Sequence, residues 1–225
     1  MRWLWISLLC VSGTDIRPDA LKEINAFIAE AKSSGKIDTS SPDWKTRLPE
    51  FPKVPFADGE HYEWILETTE GTLTAQLEEE KAPDHVRNLL YLTSLGYYDG
   101  LIFHRIIPGF MAQGGCPLGT GSGGPGYHVG LEAKPELGHD RPGILSMARA
   151  RHPDSAGSQF FITFKKTEFL NGGYTVFGHV SKGMEVLKRL EAAGNPNPNA
   201  NGSPPLKVIR IKSARIQRVD PDPLP

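Results

Sequence analysis

The first regular pattern along the chain is an amphipathic helix between Pro18 and Ser34. Its apolar side chains recur at helical spacing and form one face, made of Leu21, Ile24, Phe27, Ile28 and Ala31. The following segment, residues 36–59, carries four prolines, which oppose both helices and central strands. The pattern predicts a helix and a proline-rich connector over residues 14–60, an arm that packs on the main domain or links to it.

Beyond the connector, apolar positions alternate with polar ones, as in half-buried strands. Two alternating runs, one around Trp64 and one around Ala75, flank the turn Thr69-Glu70-Gly71 and predict a β-hairpin. Further short strand-like runs follow at residues 102–107, 110–113, 144–148, 159–164, 174–180 and 207–219. The last run loses its alternation between Ile211 and Ala214, which predicts a β-bulge.

Helical periodicity returns only twice in this β-rich region. One segment starts at Pro83 and ends at Gly96, and the other covers residues 183–193. Many short strands with one early and one late helix favour a mainly β fold, a closed antiparallel β-barrel capped by two helices. We expect this domain to cover residues 61–219 and to fold without the arm, with a proline-rich tail at residues 220–225.

Composition and charge narrow the classes of function. Gly and Pro number 24 and 19, an excess that disfavours a helical bundle. The 25 basic and 26 acidic residues nearly cancel, which disfavours a nucleic-acid partner or a polybasic membrane surface. Two cysteines are too few for a disulfide framework, and no apolar run is long enough to span a membrane.

The N-terminus has the pattern of a short signal peptide over residues 1–13. Arg2 precedes the apolar stretch of residues 3–11, and two small residues follow it. One expectation is therefore export to the periplasm, with a mature chain that starts near Thr14. The alternative is a cytoplasmic protein with an ordinary N-terminus.

Three motifs that would indicate a specific chemistry fail on their context. Residues 119–124 match G-x-G-x-x-G, yet Pro125-Gly126 follows where a helix should hold a pyrophosphate. Ser122 has Thr120 where the nucleophile elbow of serine hydrolases needs glycine. The seven histidines show no metal-ligand spacing. We therefore expect no nucleotide cofactor and no metal.

A cluster of residues on neighbouring strands is harder to dismiss. Arg105 lies inside an apolar run, where a charge is costly unless its head reaches a groove, a partner or the solvent. The turn at Pro108-Gly109 folds the chain back, and strand alternation puts Met111 and Gln113 on one face. Residues 158–162 can add an aromatic wall. Together they suit a pocket for a small apolar group beside a hydrogen-bonded carbonyl.

Four segments carry a resemblance to a known family. They are residues 96–115 (GYYDGLIFHRIIPGFMAQGG), 119–126 (GTGSGGPG), 158–163 (SQFFIT) and 176–178 (VFG). In order and spacing they resemble the cyclophilin family of peptidyl-prolyl isomerases. The resemblance covers about residues 61–219 and not the arm. The segments MARA and PDSA are more similar to bacterial members of that family.

The resemblance implies an eight-stranded barrel and an isomerase without a cofactor. It implies a monomer that acts on proline-containing peptides and unfolded protein clients. It places the catalytic arginine at Arg105, with Gln113 as the supporting amide. The residues that it assigns to the proline pocket are Phe110, Met111, Phe161 and Leu170. The main chain of Arg149 would pair with the peptide.

Arg149 stands where eukaryotic members usually have asparagine, with little loss expected because its main chain makes the contact, and two further positions depart from the family pattern. Phe169 replaces a tryptophan of the drug-sensitive members, and Tyr174 stands where many of them have histidine. Both belong to the rim of the pocket, so we expect weaker binding of cyclosporin-type ligands and little loss of catalysis. The alternative functions are a non-catalytic proline-peptide binding module or chaperone, and a structural barrel held by its arm. The presence of both Arg105 and Gln113 favours the enzyme.

Overall fold

A computed structural model describes residues 19–196 and 204–219 of the chain. The predicted signal peptide at residues 1–13 and the predicted tail at residues 220–225 lie outside the described residues. Within the described part, none of the helices is long and apolar enough to cross a membrane.

The described residues form three α-helices and eight β-strands. The helices are α1 (Ala20–Ser33), α2 (Pro83–Ser94) and α3 (Met184–Ala192). The strands are β1 (His61–Thr68), β2 (Gly71–Leu77), β3 (Arg105–Ile107), β4 (Met111–Gly114), β5 (Ile144–Met147), β6 (Phe160–Thr163), β7 (Val176–Lys182) and β8 (Ile211–Val219). The predicted hairpin is β1 and β2, and the two predicted capping helices are α2 and α3.

All eight strands belong to one antiparallel sheet in the order β3-β4-β6-β5-β7-β2-β1-β8. The mainly β class and the eight strands are therefore confirmed, whereas the fully closed barrel is wrong in detail. The two edges meet at a single bridge between Ile102 and Arg210, next to a hydrogen bond from Phe103 N to Ile209 O. The sheet remains a half-barrel because β3 is regular only from Arg105 onward, three residues later than the alternation predicts.

The predicted bulge in the last strand is present. Glu67 of β1 pairs with Ser213, and the next residue, Thr68, pairs with Ile211. Lys212 is therefore the extra residue of β8, at the place where the apolar alternation changes phase.

Helix α2 is buried on nearly all sides, whereas its sequence predicts one apolar face. His85, Asn88 and Tyr91 lie off that face and are still inaccessible to solvent. The arm covers Tyr91 from outside: the Phe27 ring lies 6.0 Å from the Tyr91 ring, and Tyr91 Oη donates a hydrogen bond to Pro49 O. His85 and Asn88 instead bond to the main domain, to Glu132 and to Gly157 O. The arm thus supplies part of the environment of α2.

The arm is also part of the main hydrophobic core. Ile24 and Ile28 of α1 are buried in the same cluster as Trp64 of β1. At the N-terminus of α1, the main-chain N–H of Ala20 donates to the buried carboxylate of Glu60, 3.1 Å away. If residues 61–219 fold without the arm, as predicted, they must do so without this part of the core.

Candidate active site

A small apolar cluster lies apart from the main core and forms the floor of a surface pocket. Its buried members are Met111, Phe161 and Leu170, with Phe110 and Tyr174 packed against them. Met111 of β4 and Phe161 of β6 come together because these two strands are paired in the sheet, and Leu170 comes from the 3-10 helix Glu168–Leu170. An apolar cluster open to solvent on one side can receive an apolar group of a ligand.

Strand register sets the polar groups of the pocket in one row. Arg105 of β3 is opposite Gln113 of β4, and Gln113 is opposite Phe161 of β6. Residues directly opposite in neighbouring strands project from the same face of the sheet. The guanidinium, the amide and the aromatic ring therefore lie side by side.

The pocket has a volume of about 300 Å³. The structure brings all the predicted site residues together around it: Arg105, Phe110, Met111, Gln113, Arg149, Phe161, Phe169, Leu170 and Tyr174. Ala148 is the one lining residue that the sequence analysis did not single out. The structure establishes their proximity, and their individual roles stay predictions.

Arg105 is half-buried and only partly saturated with hydrogen bonds. Its Nη1 donates to Gln113 Oε1 at 3.3 Å, and its buried Nε has no acceptor within the described part of the chain. Burial lowers the pKa of Arg105, but a guanidinium still stays charged at neutral pH. The side chain thus keeps donors for a group bound in the pocket.

A chain of side-chain amides holds Gln113 in a defined orientation. Gln113 Nε2 donates to Gln159 Oε1 at 3.0 Å, and Gln159 Nε2 donates to Gly121 O and Gly123 O, both at 2.8 Å. Main-chain carbonyls can only accept, so the NH₂ group of Gln159 must point toward them. Its oxygen then points toward Gln113 and requires the NH₂ group of Gln113 on that side. As a result, Gln113 presents its oxygen to Arg105.

Gln159 lies within the SQFFIT segment, and its role was not predicted from the sequence. The signal was available, because Gln159 is two residues before Phe161 and strand alternation puts both on one face. The contact with Gly121 and Gly123, more than 30 residues away, could not be read from the sequence.

The aromatic wall of the pocket is supported from behind by a histidine. The Phe161 ring stacks on His139 at 5.9 Å and meets Tyr174 edge-on at 5.7 Å. The His139 ring is held by Ser146 Oγ and Asn171 Oδ1, each 3.0 Å away. Burial lowers the pKa of His139, so the ring is neutral near pH 7. The sequence analysis treated this histidine as one of seven scattered residues.

The rim of the pocket is more exposed than its floor. Phe169 is 76% exposed, and its ring lies 5.7 Å from that of Phe110. On the other side the Arg149 guanidinium lies 4.7 Å from the Tyr174 ring, and its Nε donates to Gly173 O at 2.7 Å. The two positions that depart from the family pattern are therefore both at the edge, where they affect the outer contacts of a ligand.

A second cavity of about 700 Å³ adjoins this pocket. The two share Gln113, Ala148 and Arg149, so they are continuous along one surface. The glycine-rich loop of residues 121–126 forms one side of the larger cavity, and Thr46 of the arm also lines it.

Comparison with known sequences identifies relatives over most of the chain. The profile of the family described as "Cyclophilin type peptidyl-prolyl cis-trans isomerase/CLD" matches residues 64–216. A peptidyl-prolyl cis-trans isomerase-like 1 of Neurospora crassa is 44% identical over 156 residues, 68% of this chain and 93% of the relative. Peptidyl-prolyl cis-trans isomerase B of Bacillus subtilis is 50% identical over 115 residues, 51% of this chain and 80% of the relative.

Comparison with solved structures gives the same result. A cyclophilin type peptidyl-prolyl cis-trans isomerase of Cryptosporidium parvum superposes with a TM-score of 0.65 at 39% identity, over 72% of this chain and 99% of the other. Its crystal structure in the presence of the dipeptide Ala-Pro superposes with a TM-score of 0.64 at 41% identity, over 69% and 98% of the two chains. Relatives occur in both bacteria and eukaryotes, so the bacterial character of the motifs stays a prediction.

Proposed function

Because the chain belongs to the family of cyclophilin-type peptidyl-prolyl cis-trans isomerases, we propose that Arg105 is the residue that accelerates rotation about X-Pro bonds. The observation that carries this proposal is the hydrogen-bonded pair of Arg105 and Gln113 at the edge of the apolar pocket above Met111 and Phe161. In the proposal, the pocket holds the proline ring while the peptide on its N-terminal side rotates.

The reaction requires no covalent step. Rotation about an X-Pro bond must break amide resonance over a barrier of about 20 kcal/mol. The twisted amide has its lone pair localised on the prolyl nitrogen, so a donor that bonds this nitrogen only in the twisted state lowers the barrier. Lowering it by about 4 to 7 kcal/mol gives roughly 10³- to 10⁵-fold acceleration.

The surroundings of Arg105 suit this role. Gln113 restrains the guanidinium through Nη1, and the planar fork has further N–H donors for the nitrogen of a substrate in the pocket that Arg105 lines. A charge-assisted donor in a partly buried pocket is stronger than one in water. The chain of amides from Gln159 keeps the acceptor of Gln113 turned toward Arg105, so the donor is oriented before the substrate arrives.

The experiment is a protease-coupled assay on a proline tetrapeptide, with the unmodified protein, Arg105→Ala and Arg105→Lys. We expect kcat/KM to fall about 10²-fold or more for Arg105→Ala, and Arg105→Lys to be poor because an ammonium cannot reproduce the planar fork. A thermal melt of each variant checks the fold. A well-folded Arg105→Ala protein with nearly unmodified turnover would contradict the proposal, whereas a protein that binds the peptide without any turnover would favour the binding-module alternative.

For the partners we propose proline-containing segments of unfolded proteins, bound by a monomer. The Cryptosporidium parvum structure determined in the presence of Ala-Pro supports a proline-containing ligand. Export stays a further proposal that rests on residues 1–13 alone. Mass spectrometry of the native protein tests it: a chain starting near Thr14 is expected, and an intact Met1 in the cytosolic fraction would contradict export.

A further inference from the structure

The larger cavity beside the proline pocket lies where the flanking part of a bound peptide must pass. Both cavities are bordered by Gln113 and Arg149, so a peptide whose proline occupies the smaller one borders the larger one. An extended chain advances at most about 3.3 to 3.6 Å per residue, so a residue within two positions of the proline is close enough to place its side chain there.

The arm meets the glycine-rich loop on the wall of this cavity. Thr46 lines the cavity, and two residues later the main-chain N–H of Leu48 donates to Pro125 O at 2.9 Å. Gly126 has a φ of +103°, and a Cβ there would lie 2.8 Å from Thr46 O. The main chains of arm and loop are therefore in direct contact, at a position that accepts only glycine without rearrangement.

Aromatic contacts fix the arm on both sides of Thr46. Trp44 meets Tyr97 edge-on with the ring centroids 6.0 Å apart. On the other side, Phe51 packs against Tyr127 with the centroids 5.9 Å apart. Thr46 is thus held at the cavity by contacts with the folded domain and not by the connector alone.

The lining of the cavity has a definite polarity. Polar residues that line it include Thr46, Ser122, Gln113 and Gln159, and Arg149 adds a positive charge. The Thr46 hydroxyl donates to Asp43 O of the arm at 2.8 Å. No aspartate or glutamate is among the described residues that line it. Such a surface favours a polar or acidic side chain over a basic one.

We propose that the arm is a specificity element of the isomerase, in which Thr46 faces the side chain of a substrate residue that flanks the proline and favours acidic over basic residues there. This inference rests on the proposed function and adds a role for a segment outside the part matched by the family profile. Thr46 would act on substrate choice, while Arg105 would act on the rate for every substrate.

The test uses the full chain with Thr46→Glu and Thr46→Lys. The peptides carry Glu, Lys or Ala at each of the two positions on either side of one proline. A charge at position 46 should change kcat/KM about threefold in opposite directions for the Glu and Lys peptides, and this change should shrink at high salt. The Ala peptide, which carries no charge at these positions, is the reference for the two charged peptides in each protein. Thr39→Glu, at an exposed position of the same arm, is the matched control and should leave all peptides unchanged.

A second measurement needs no variant. On the unmodified protein, NMR signals of the Thr46 and Leu48 amides should shift when a Glu peptide binds, and much less with the Ala peptide. Failure of all proteins to turn over the Ala peptide would overturn the proposed function itself. Normal turnover with an unchanged Glu-to-Lys preference in both Thr46 variants would overturn the role of the arm alone. If the Thr46 variants do not unfold cooperatively, the NMR measurement on the unmodified protein decides. In that case, Thr46 and Leu48 amide signals that do not shift when the Glu peptide binds overturn the role of the arm.

Discussion

The apolar pocket beside Arg105 and the N-terminal arm are built in opposite ways. The pocket stands on strands of only three or four residues, has its own small apolar cluster and leaves the Arg105 Nε without an acceptor in the described chain. The arm buries Ile24 and Ile28 in the main core, and both oxygens of Glu60 accept main-chain hydrogen bonds, from Ala20 N and Ala57 N. The pocket therefore keeps polar groups available for a ligand, and the arm uses its groups for packing.

The segment that a family signature identifies is thus not the whole of what stabilises the molecule. The family profile covers the whole pocket and stops short of the arm, yet α1 packs into the same core as Trp64. Substitutions in the pocket should therefore change the rate with little change in stability, and substitutions in α1 should do the reverse. Thr46 is the exception, because it lines the cavity that we propose receives the part of the peptide next to the proline.

The largest effect on stability is expected from truncating a buried side chain of α1. Ile24 is inaccessible to solvent, so Ile24→Ala should lower the free energy of unfolding by about 2 to 5 kcal/mol through lost packing and a residual cavity. The kcat/KM for a proline tetrapeptide should not change. Chemical denaturation and the coupled assay measure the two quantities.

Asn25→Ala is the matched control for this prediction, because Asn25 is the exposed neighbour of Ile24 on the same helix. It should change stability by less than about 0.5 kcal/mol. If Ile24→Ala is as stable as the unmodified protein, the arm is accessory, as the prediction that residues 61–219 fold alone requires.

The next largest effect is expected at Gln159, which orients Gln113. Gln159→Leu removes both ends of the amide link, so we expect kcat/KM to fall about tenfold, the equivalent of about 1.4 kcal/mol. In a protein that already carries Gln113→Ala, the same change should have little further effect, because the residue acts through Gln113. The assay is run on the four proteins of this cycle.

Gln217→Ala is the control, since Gln217 is an exposed glutamine at the far end of β8. It should leave kcat/KM unchanged. If Gln159→Leu lowers kcat/KM by the same factor in the unmodified protein and in the Gln113→Ala variant, Gln159 acts independently of Gln113. That result would contradict the proposed chain of amides.

The last prediction concerns the pH dependence of stability and His104, the neighbour of Arg105. Burial, with a smaller contribution from the charge of Arg105, lowers the pKa of His104 to about 4 from an ordinary value near 6.5. Between pH 6.5 and 4 the unfolded chain therefore binds more protons, and this group makes the protein less stable as the pH falls. Its stabilising contribution is complete above pH 6.5.

The measurement compares unfolding free energies at pH 7 and pH 4.5 for the unmodified protein and His104→Gln. The variant should lose less stability on acidification. Glu79, whose pKa burial raises to about 7, contributes with the opposite sign, but it is present in both proteins and cancels in the comparison. An identical pH dependence of the two proteins would contradict the assignment to His104.

Local pattern was sufficient for most of the fold. Alternation located the β1–β2 hairpin, and the change of phase after Ile211 located the bulge at Lys212, because strand side chains follow a period of two wherever one face is buried. The motif residues around Arg105 and Phe161 converged on one pocket because β3, β4 and β6 are neighbours.

Contacts distant in sequence were not accessible in this way. Tyr91 of α2 contacts Phe27 and Pro49 of the arm, and the contact between Leu48 and Pro125 joins segments more than 70 residues apart. The periodicity of one segment shows which of its faces is apolar, but it does not show which other segment will pack on that face. The incomplete closure of the sheet beside the bridge between Ile102 and Arg210 likewise depends on how few residues of β3 stay regular.

The central claim is that Arg105 bonds the prolyl nitrogen mainly in the twisted state. NMR exchange spectroscopy on a peptide with one proline gives both the catalysed cis–trans exchange rate and the affinity in the same sample. For Arg105→Ala we expect the exchange rate to fall about 10²-fold or more, while the dissociation constant changes only a few-fold because the apolar pocket is intact. A folded Arg105→Ala protein whose exchange rate is preserved, or whose rate falls only in proportion to its affinity, would contradict the account.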